Sequence, residues 1–209
     1  MKNNELVLVF KTELLRNIGI FNGFTAEYSR YIDTILNADN TVFMPRSKAE
    51  IDVSCKQIIP YVLMEYNGKF LYYVRGKQSG ESRLVSKASI GIGGHINPVD
   101  ETLFSDTKFG KGTYFNAVNR EVSEEIVMET KYRDTIAGII NDDTADVGKV
   151  HFGIVHLWKL EQPKVSKREQ NITQLEFLSP EEIMKRKDSL ESWSQICAEN
   201  IINKIIIIY

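Results

Sequence analysis

Two apolar runs flank Asn67-Gly68 in QIIPYVLMEYNGKFLYYVRGK, residues 57–77. Both runs are rich in Ile, Val, Leu and Tyr, and Asn-Gly between such runs is the strongest short signal for a tight hairpin. The chain must therefore build around an antiparallel pair. The segments that follow extend this theme. RLVSKASIGIGGHI reads as a strand ending in glycine, Asn116–Met128 as a helix, and TIAGIINDD and VGKVHFGIVHLWKL as strands about an acidic turn. LEFLSPEEIMKR gives a strand end and then a helix start, with Ser179 as N-cap, Pro180 at the first helical position and Glu181-Glu182 in the first turn. A last helix is expected over Asp188–Ile202. Strands, helix, strands, helix indicate an α+β fold, a mixed β-sheet packed between helices, rather than a doubly wound parallel one.

Residues 1–50 are less regular. Tyr28, Tyr31, Ile32 and Ile35 are spaced like one face of a short helix, and the region reads as a small cap or N-terminal extension. Residues 51–209 hold everything that carries a motif. At 209 residues the chain suits one domain with an elaboration. The formal net charge of −2 gives no broad field directed at nucleic acid or membrane. The apolar tail IINKIIIIY is too short to span a bilayer and reads as the end of a packed helix or a final strand. Cys55 and Cys197 sit in no metal or redox spacing, so the expectation is a pair of buried thiols in a cytoplasmic protein.

The chemistry concentrates in NREVSEEIVM, residues 119–128. On a helix, Glu121, Glu124 and Glu125 project together, beside an apolar arc of Val118, Val122 and Ile126. Like charges at these spacings cost about 0.2–0.5 kcal/mol per pair. Arg120 offsets part of this through Glu124, in the poorer of the two orientations. A divalent cation offsets it better, because hard ions such as Mg²⁺ prefer carboxylate oxygens. The same spacing also fits an acidic helix face turned to water, and the glutamates alone do not separate the two. Upstream, SIGIGGHINPVD closes a strand with Gly91, Gly93 and Gly94. Glycines there permit positive φ and bring backbone close to a ligand, and they also fit a simple bulge or turn.

Together the two segments resemble the Nudix hydrolase signature, Gly-x5-Glu-x7-Arg-Glu-U-x-Glu-Glu-x-Gly-U, where U is a bulky aliphatic residue. Gly94, with Gly93 before it, matches the first half. Arg120, Glu121, Val122, Glu124, Glu125 and Met128 match the second. There are three departures. Asp100 stands where the pattern has glutamate. Residues 101–119 fill a gap of seven, an insertion of about 12 assigned to TLFSDTKFGKGTYF, residues 102–115. Val127 replaces the closing glycine, so the helix is expected to run on towards Glu129.

The resemblance implies a pyrophosphohydrolase that cleaves a nucleoside diphosphate derivative with Mg²⁺ or Mn²⁺. By position, Glu121, Glu124 and Glu125 hold the metal with the Gly93 carbonyl, Arg120 orients the glutamates, and Asp100 braces the loop against the helix. The base is Glu124, Glu125 or a residue of another loop. His95, Gly94, Lys108 and Lys111 are the expected substrate contacts. A non-catalytic nucleotide-binding or regulatory domain is the alternative. A prenyl diphosphate isomerase on this fold would need cysteine and glutamate in the pocket, and neither cysteine here has that context. A small-molecule nucleotide or diphosphate is the expected partner, with homodimerisation carried over from relatives.

The remaining candidates are weaker. Asp142, Asp143 and Asp146 offer carboxylates, but Asn and Asp are ordinary turn formers. His151 and His156 are five apart, so in a strand they face opposite sides and form no metal pair with each other. Tyr114, Phe115 and Trp158 can stack on a base, although core packing is the commoner use.

Overall fold

The computed structural model describes residues 5–76, 87–101, 111–168 and 172–203. In chain order its elements are β1 (Leu6–Lys11), α1 (Glu13–Ile18), β2 (Gly23–Thr25), α2 (Ser29–Ile35), β3 (Thr41–Pro45), α3 (Arg46–Ala49) and β4 (Cys55–Tyr66). Then come β5 (Lys69–Arg75), β6 (Ala88–Ser89), β7 (Gly91–Gly93), α4 (Lys111–Glu125), β8 (Ile126–Met128) and β9 (Tyr132–Asn141). The chain continues through α5 (Asp146–Lys149), β10 (His151–Leu160), β11 (Val165–Lys167), β12 (Ile172–Leu178), α6 (Pro180–Lys185) and α7 (Ser192–Cys197). The fold is α+β, a mixed sheet with helices. The main sheet has the order β12-β5-β4-β10-β9-β2, and β1, β3, β6 and β7 are joined to it off that path. Among the described residues no helix is long and apolar enough to cross a membrane.

Two compact units emerge. The first comprises Met1–Tyr61, Gly93–Glu121 and Gly138–Val155. In it β1 pairs antiparallel with β3 and, through Val9↔Gln57, with β4. The Gln57 N–H donates to the Val150 carbonyl just before β10. The bond joins the beginnings of neighbouring strands, so β4 and β10 run parallel. Val7, Val9, Ala49 and Cys55 form one buried cluster, with Met44 packed against it. Phe152 meets Phe10 edge-on at 5.4 Å and Phe21 at 6.3 Å. Burying a Phe of this kind contributes about 1.5–3 kcal/mol.

The second unit comprises Val62–Ile92, Val122–Ala137 and His156–Tyr209. Here β5 lies between β4 and β12, all antiparallel. The β4–β5 turn is the expected hairpin: Asn67 (φ 48) and Gly68 (φ 77) both take left-handed backbone. Trp158 stacks on Tyr132 with ring centroids 4.0 Å apart. The α6 start also follows the sequence, with Ser179 and Glu182 forming a reciprocal capping box behind Pro180.

Several boundaries differ from expectation. Helix α4 begins at Lys111, not Asn116, so residues 111–115 of the assigned insertion are helical. Thr113 and Tyr114 are buried and lie one turn before Ala117 and Val118, which extends the apolar face upstream. The helix ends at Glu125 and does not run on towards Glu129. Ile126, Val127 and Met128 instead form β8 and pair with β11, with Ser166 opposite Val127. Residues 146–149 make a helical turn before β10, so the strand starts at His151. The last helix starts at Ser192, because Leu190 is extended and bridges Ala88. It continues through a π-helical turn, Ala198–Ile202. Of the expected strand at RLVSKASIGIGGHI, residues 83–86 lie outside the described residues, and the rest holds β6 and β7, broken at Ile90. Lys108 and the tail 204–209 also lie outside the described residues.

Candidate functional site

The local structure around Gly93 and Gly94 is set by crowding. None of Gly91, Gly93 or Gly94 has positive φ, contrary to one of the two reasons given for them. What requires glycine is space. A Cβ on Gly93 would lie 2.9 Å from the Pro60 carbonyl oxygen, and one on Gly94 would collide with the Glu121 carboxylate. The signature glycine and the first signature glutamate are therefore in direct apposition.

Arg120 ties this loop to α4. Its Nε donates to Asp100 Oδ1 at 2.7 Å and its Nη2 to Asp100 Oδ2 at 2.9 Å, a two-pronged pair. Nη1 donates to Glu121 Oε1 at 2.8 Å, and Nη2 also reaches the His95 carbonyl at 2.8 Å and Asn97 Oδ1 at 3.1 Å. Asp100 is 3% exposed. It also accepts from the Asn97 N–H, and its carbonyl accepts from the Asn116 side chain. The bond to Asp100 is the largest cause holding the Arg120 guanidinium above its ordinary range, and the Glu121 charge adds to it. Arg120 is thus permanently charged, with its planar fork divided between a buried loop carboxylate and a helix carboxylate.

The other two glutamates lie three and four residues beyond Glu121, on the next turn of α4. Glu124 is exposed on α4. Glu125 is mostly buried, and Arg75 Nη1 donates to its Oε1 at 3.1 Å. Arg75 Nη2 donates to the Tyr73 hydroxyl at 2.8 Å, and that hydroxyl donates to the Gly91 carbonyl at 2.9 Å. Burial pushes the Tyr73 phenol well up, so it stays a neutral donor. Ser89 Oγ donates to the same carbonyl at 2.8 Å. Arg75 and Tyr73 were not singled out from the sequence, where they are two residues of an ordinary strand.

The remaining candidates fall into place individually. His95 is buried and its ring meets that of His151 edge-on, with centroids 5.7 Å apart. Lys111 lies in the first turn of α4. Asp143 is paired with the buried Lys56 at 2.7 Å, Asp142 accepts from Thr144, and Asp146 pairs with Lys149. The acidic turn is thus bound up in structural contacts, one of them with Lys56 on β4. His156 is fully buried against Asp134. Trp158 and Tyr114 are core residues, whereas Phe115 is 41% exposed.

No protein-family model matches the chain. Protein YmaB of Bacillus subtilis (strain 168) is 33% identical over 213 residues, covering 95% of this chain and 98% of that protein. The crystal structure of Tm1382, described as a candidate Nudix hydrolase, aligns with a TM-score of 0.78 at 28% identity, over 96% of this chain and 100% of that one. A bifunctional NMN adenylyltransferase/ADP ribose pyrophosphatase from Francisella tularensis, crystallised with AMP and a manganese ion, aligns with a TM-score of 0.51 at 15% identity. That match spans 71% of this chain and 42% of the other, and it speaks for the fold alone.

Proposed function

Because this chain belongs to the Nudix superfamily, we propose that it is a divalent-metal-dependent hydrolase that cleaves the pyrophosphate linkage of a nucleoside diphosphate derivative. The observation that carries this reading is the lock formed by Gly94, Glu121, Arg120 and Asp100. A merely solvated acidic helix face needs no glycine against its carboxylate and no buried aspartate to fix the neighbouring arginine.

The donor set fits a hard cation. Glu121, Glu124 and Glu125 offer carboxylate oxygens from one helix face, and the Gly93 carbonyl is a fourth oxygen donor in this assignment. When bound, Mg²⁺ or Mn²⁺ neutralises the diphosphate, stabilises charge on the departing phosphate and lowers the pKa of a bound water. The protein's own part is orientation. Arg120 holds Glu121 in one rotamer, and Arg75 does the same for Glu125. Glu124, exposed on α4, is assigned as the base that takes the proton from the attacking water. His95, Gly94, Lys108 and Lys111 are assigned to the substrate side, Lys108 from a segment outside the described residues. Catalysis is assigned to residues 51–209, with 1–50 as an extension. A nucleoside diphosphate derivative, the substrate class the signature implies, is the first to test.

The test is turnover of a panel of dinucleotides, nucleotide sugars and nucleoside triphosphates with Mg²⁺, read as nucleotide or phosphate release. Loss of a general base costs about 10²–10⁴-fold in kcat, and Glu124→Gln should fall by that much with little change in KM. Glu125→Gln should fall as well and should also need more metal. Nucleotide binding without turnover of any panel member would replace this reading with that of a binding domain.

A further inference from the structure

Glu50, His95 and His151 come together from three distant parts of the sequence, and their candidate ligand atoms all lie within 4.8 Å of one another. Glu50 follows α3, His95 follows the glycine strand β7, and His151 opens β10. The proposed hydrolysis places His95 on the substrate side but uses neither Glu50 nor His151. We propose that it is a second cation site, separate from the signature glutamates, that takes a divalent first-row transition metal of which Zn²⁺ is the type.

Four observations support it. The donor set of two imidazoles and one carboxylate is the set that zinc accepts with a fourth position left for water or another ligand. It is a poor set for Mg²⁺, which takes oxygen. Second, the His151 tautomer is fixed. Its Nδ1 lies 2.6 Å from the Val147 carbonyl. A carbonyl only accepts, so Nδ1 carries the proton and Nε2 presents its lone pair, the arrangement that orients a metal-binding histidine. Third, His151 Nε2 stands 4.0 Å from Glu50 Oε1. That is too long for a hydrogen bond. Two ligands on a tetrahedral zinc ion lie about 3.4 Å apart, so a small side-chain adjustment brings them to an ion. The Glu50 carboxylate is itself oriented by Arg46 Nε at 3.2 Å, and Arg46 is balanced by Glu5 at 2.9 Å.

The fourth observation is independent of the trio. Gln57 is completely buried, and among the described residues neither its amide oxygen nor its amide nitrogen has a hydrogen-bond partner. It lies directly across from Val9, in the face that buries Ala49 beside Glu50. Its backbone bond to Val150, the residue just before the parallel strand β10, also sets it level with His151, and residues so paired point to the same face. A buried amide left without a partner is destabilising, a penalty that a metal-bound water in hydrogen-bond reach would remove. The site would also fasten Glu50, in the N-terminal segment, to the residue that follows the signature glycines.

The full chain is stripped of metal by chelation, returned to excess Mg²⁺ to occupy the glutamate site, and titrated with Zn²⁺ by calorimetry. One equivalent should bind to the wild type and to Glu124→Gln, and binding to Glu50→Gln and His151→Gln should be weaker by about 100-fold or more, each having lost a ligand. Histidine NMR on the unaltered protein removes any dependence on how the variants fold. Of the three histidines, His95 and His151 should shift with Zn²⁺, while His156, held by Asp134, should not. Absence of Zn²⁺ uptake by the wild type, uptake unchanged in both variants, or a shift confined to His156 would overturn the proposal. These results do not depend on whether the protein hydrolyses a nucleotide, so failure of one reading is distinguishable from failure of the other.

Discussion

At the scale of single residues, the fixed point is the space at Gly94. The carboxylate of Glu121 occupies the volume in which any other residue would place its Cβ. That carboxylate is the end of a flexible side chain, so Gly94→Ala will displace it rather than break the backbone. The expected effect on stability is within about 1 kcal/mol, since no core volume is lost. Metal affinity and turnover should fall at least tenfold. A variant with normal Mg²⁺ dependence would show that Glu121 does not need its place against the glycine. Arg120 acts differently. It satisfies Asp100, which is buried, and its removal would leave a charge without compensation in the loop. The two residues therefore separate by readout, Gly94 through metal binding and Arg120 through folding as well.

At the scale of elements, local chemistry predicted what local chemistry controls. The Asn67-Gly68 hairpin and the Ser179 capping box are decided by a few adjacent residues, and both were legible in the sequence. The end of α4 was not. Val127 in place of glycine suggested a longer helix, but the structure uses that position in β8, opposite Ser166. A β-branched residue suits a strand, and the partner lies some 40 residues away, where no local pattern reports it. The signature's departure thus has a structural reason. Val127→Gly should cost about 0.5–1 kcal/mol through the loosened β8–β11 pair, measured by urea unfolding, and leave Mg²⁺ affinity unchanged. Of the candidate site, Glu121, Arg120 and Asp100 were legible because a motif carries them. Arg75 was not, because only the β4–β5–β12 ladder shows what its strand faces. Glu50 with His95 and His151 is likewise visible only after folding, since sequence spacing says nothing about residues 45 and 56 positions apart.

At the scale of the molecule, both thiols are internal. Cys55 and Cys197 are buried, and burial pushes the Cys197 thiol far above its ordinary range. A buried neutral thiol is a poor nucleophile. A disulfide reagent at mildly alkaline pH should therefore leave Cys197 unmodified in the native protein and label it on unfolding. Rapid native labelling of Cys197 would mean that α7 opens readily. Function at this scale rests on one claim, that a metal held by the α4 carboxylates brings water to a phosphoanhydride. The most direct measurement is hydrolysis of a nucleoside diphosphate derivative in ¹⁸O-enriched water, with product phosphates read by mass spectrometry. One ¹⁸O atom per cleavage is expected, in a phosphate of the product, dependent on added Mg²⁺ or Mn²⁺ and lost in Glu124→Gln. Label entering at the same rate with all divalent metal removed, or in Glu124→Gln as in the wild type, would contradict it.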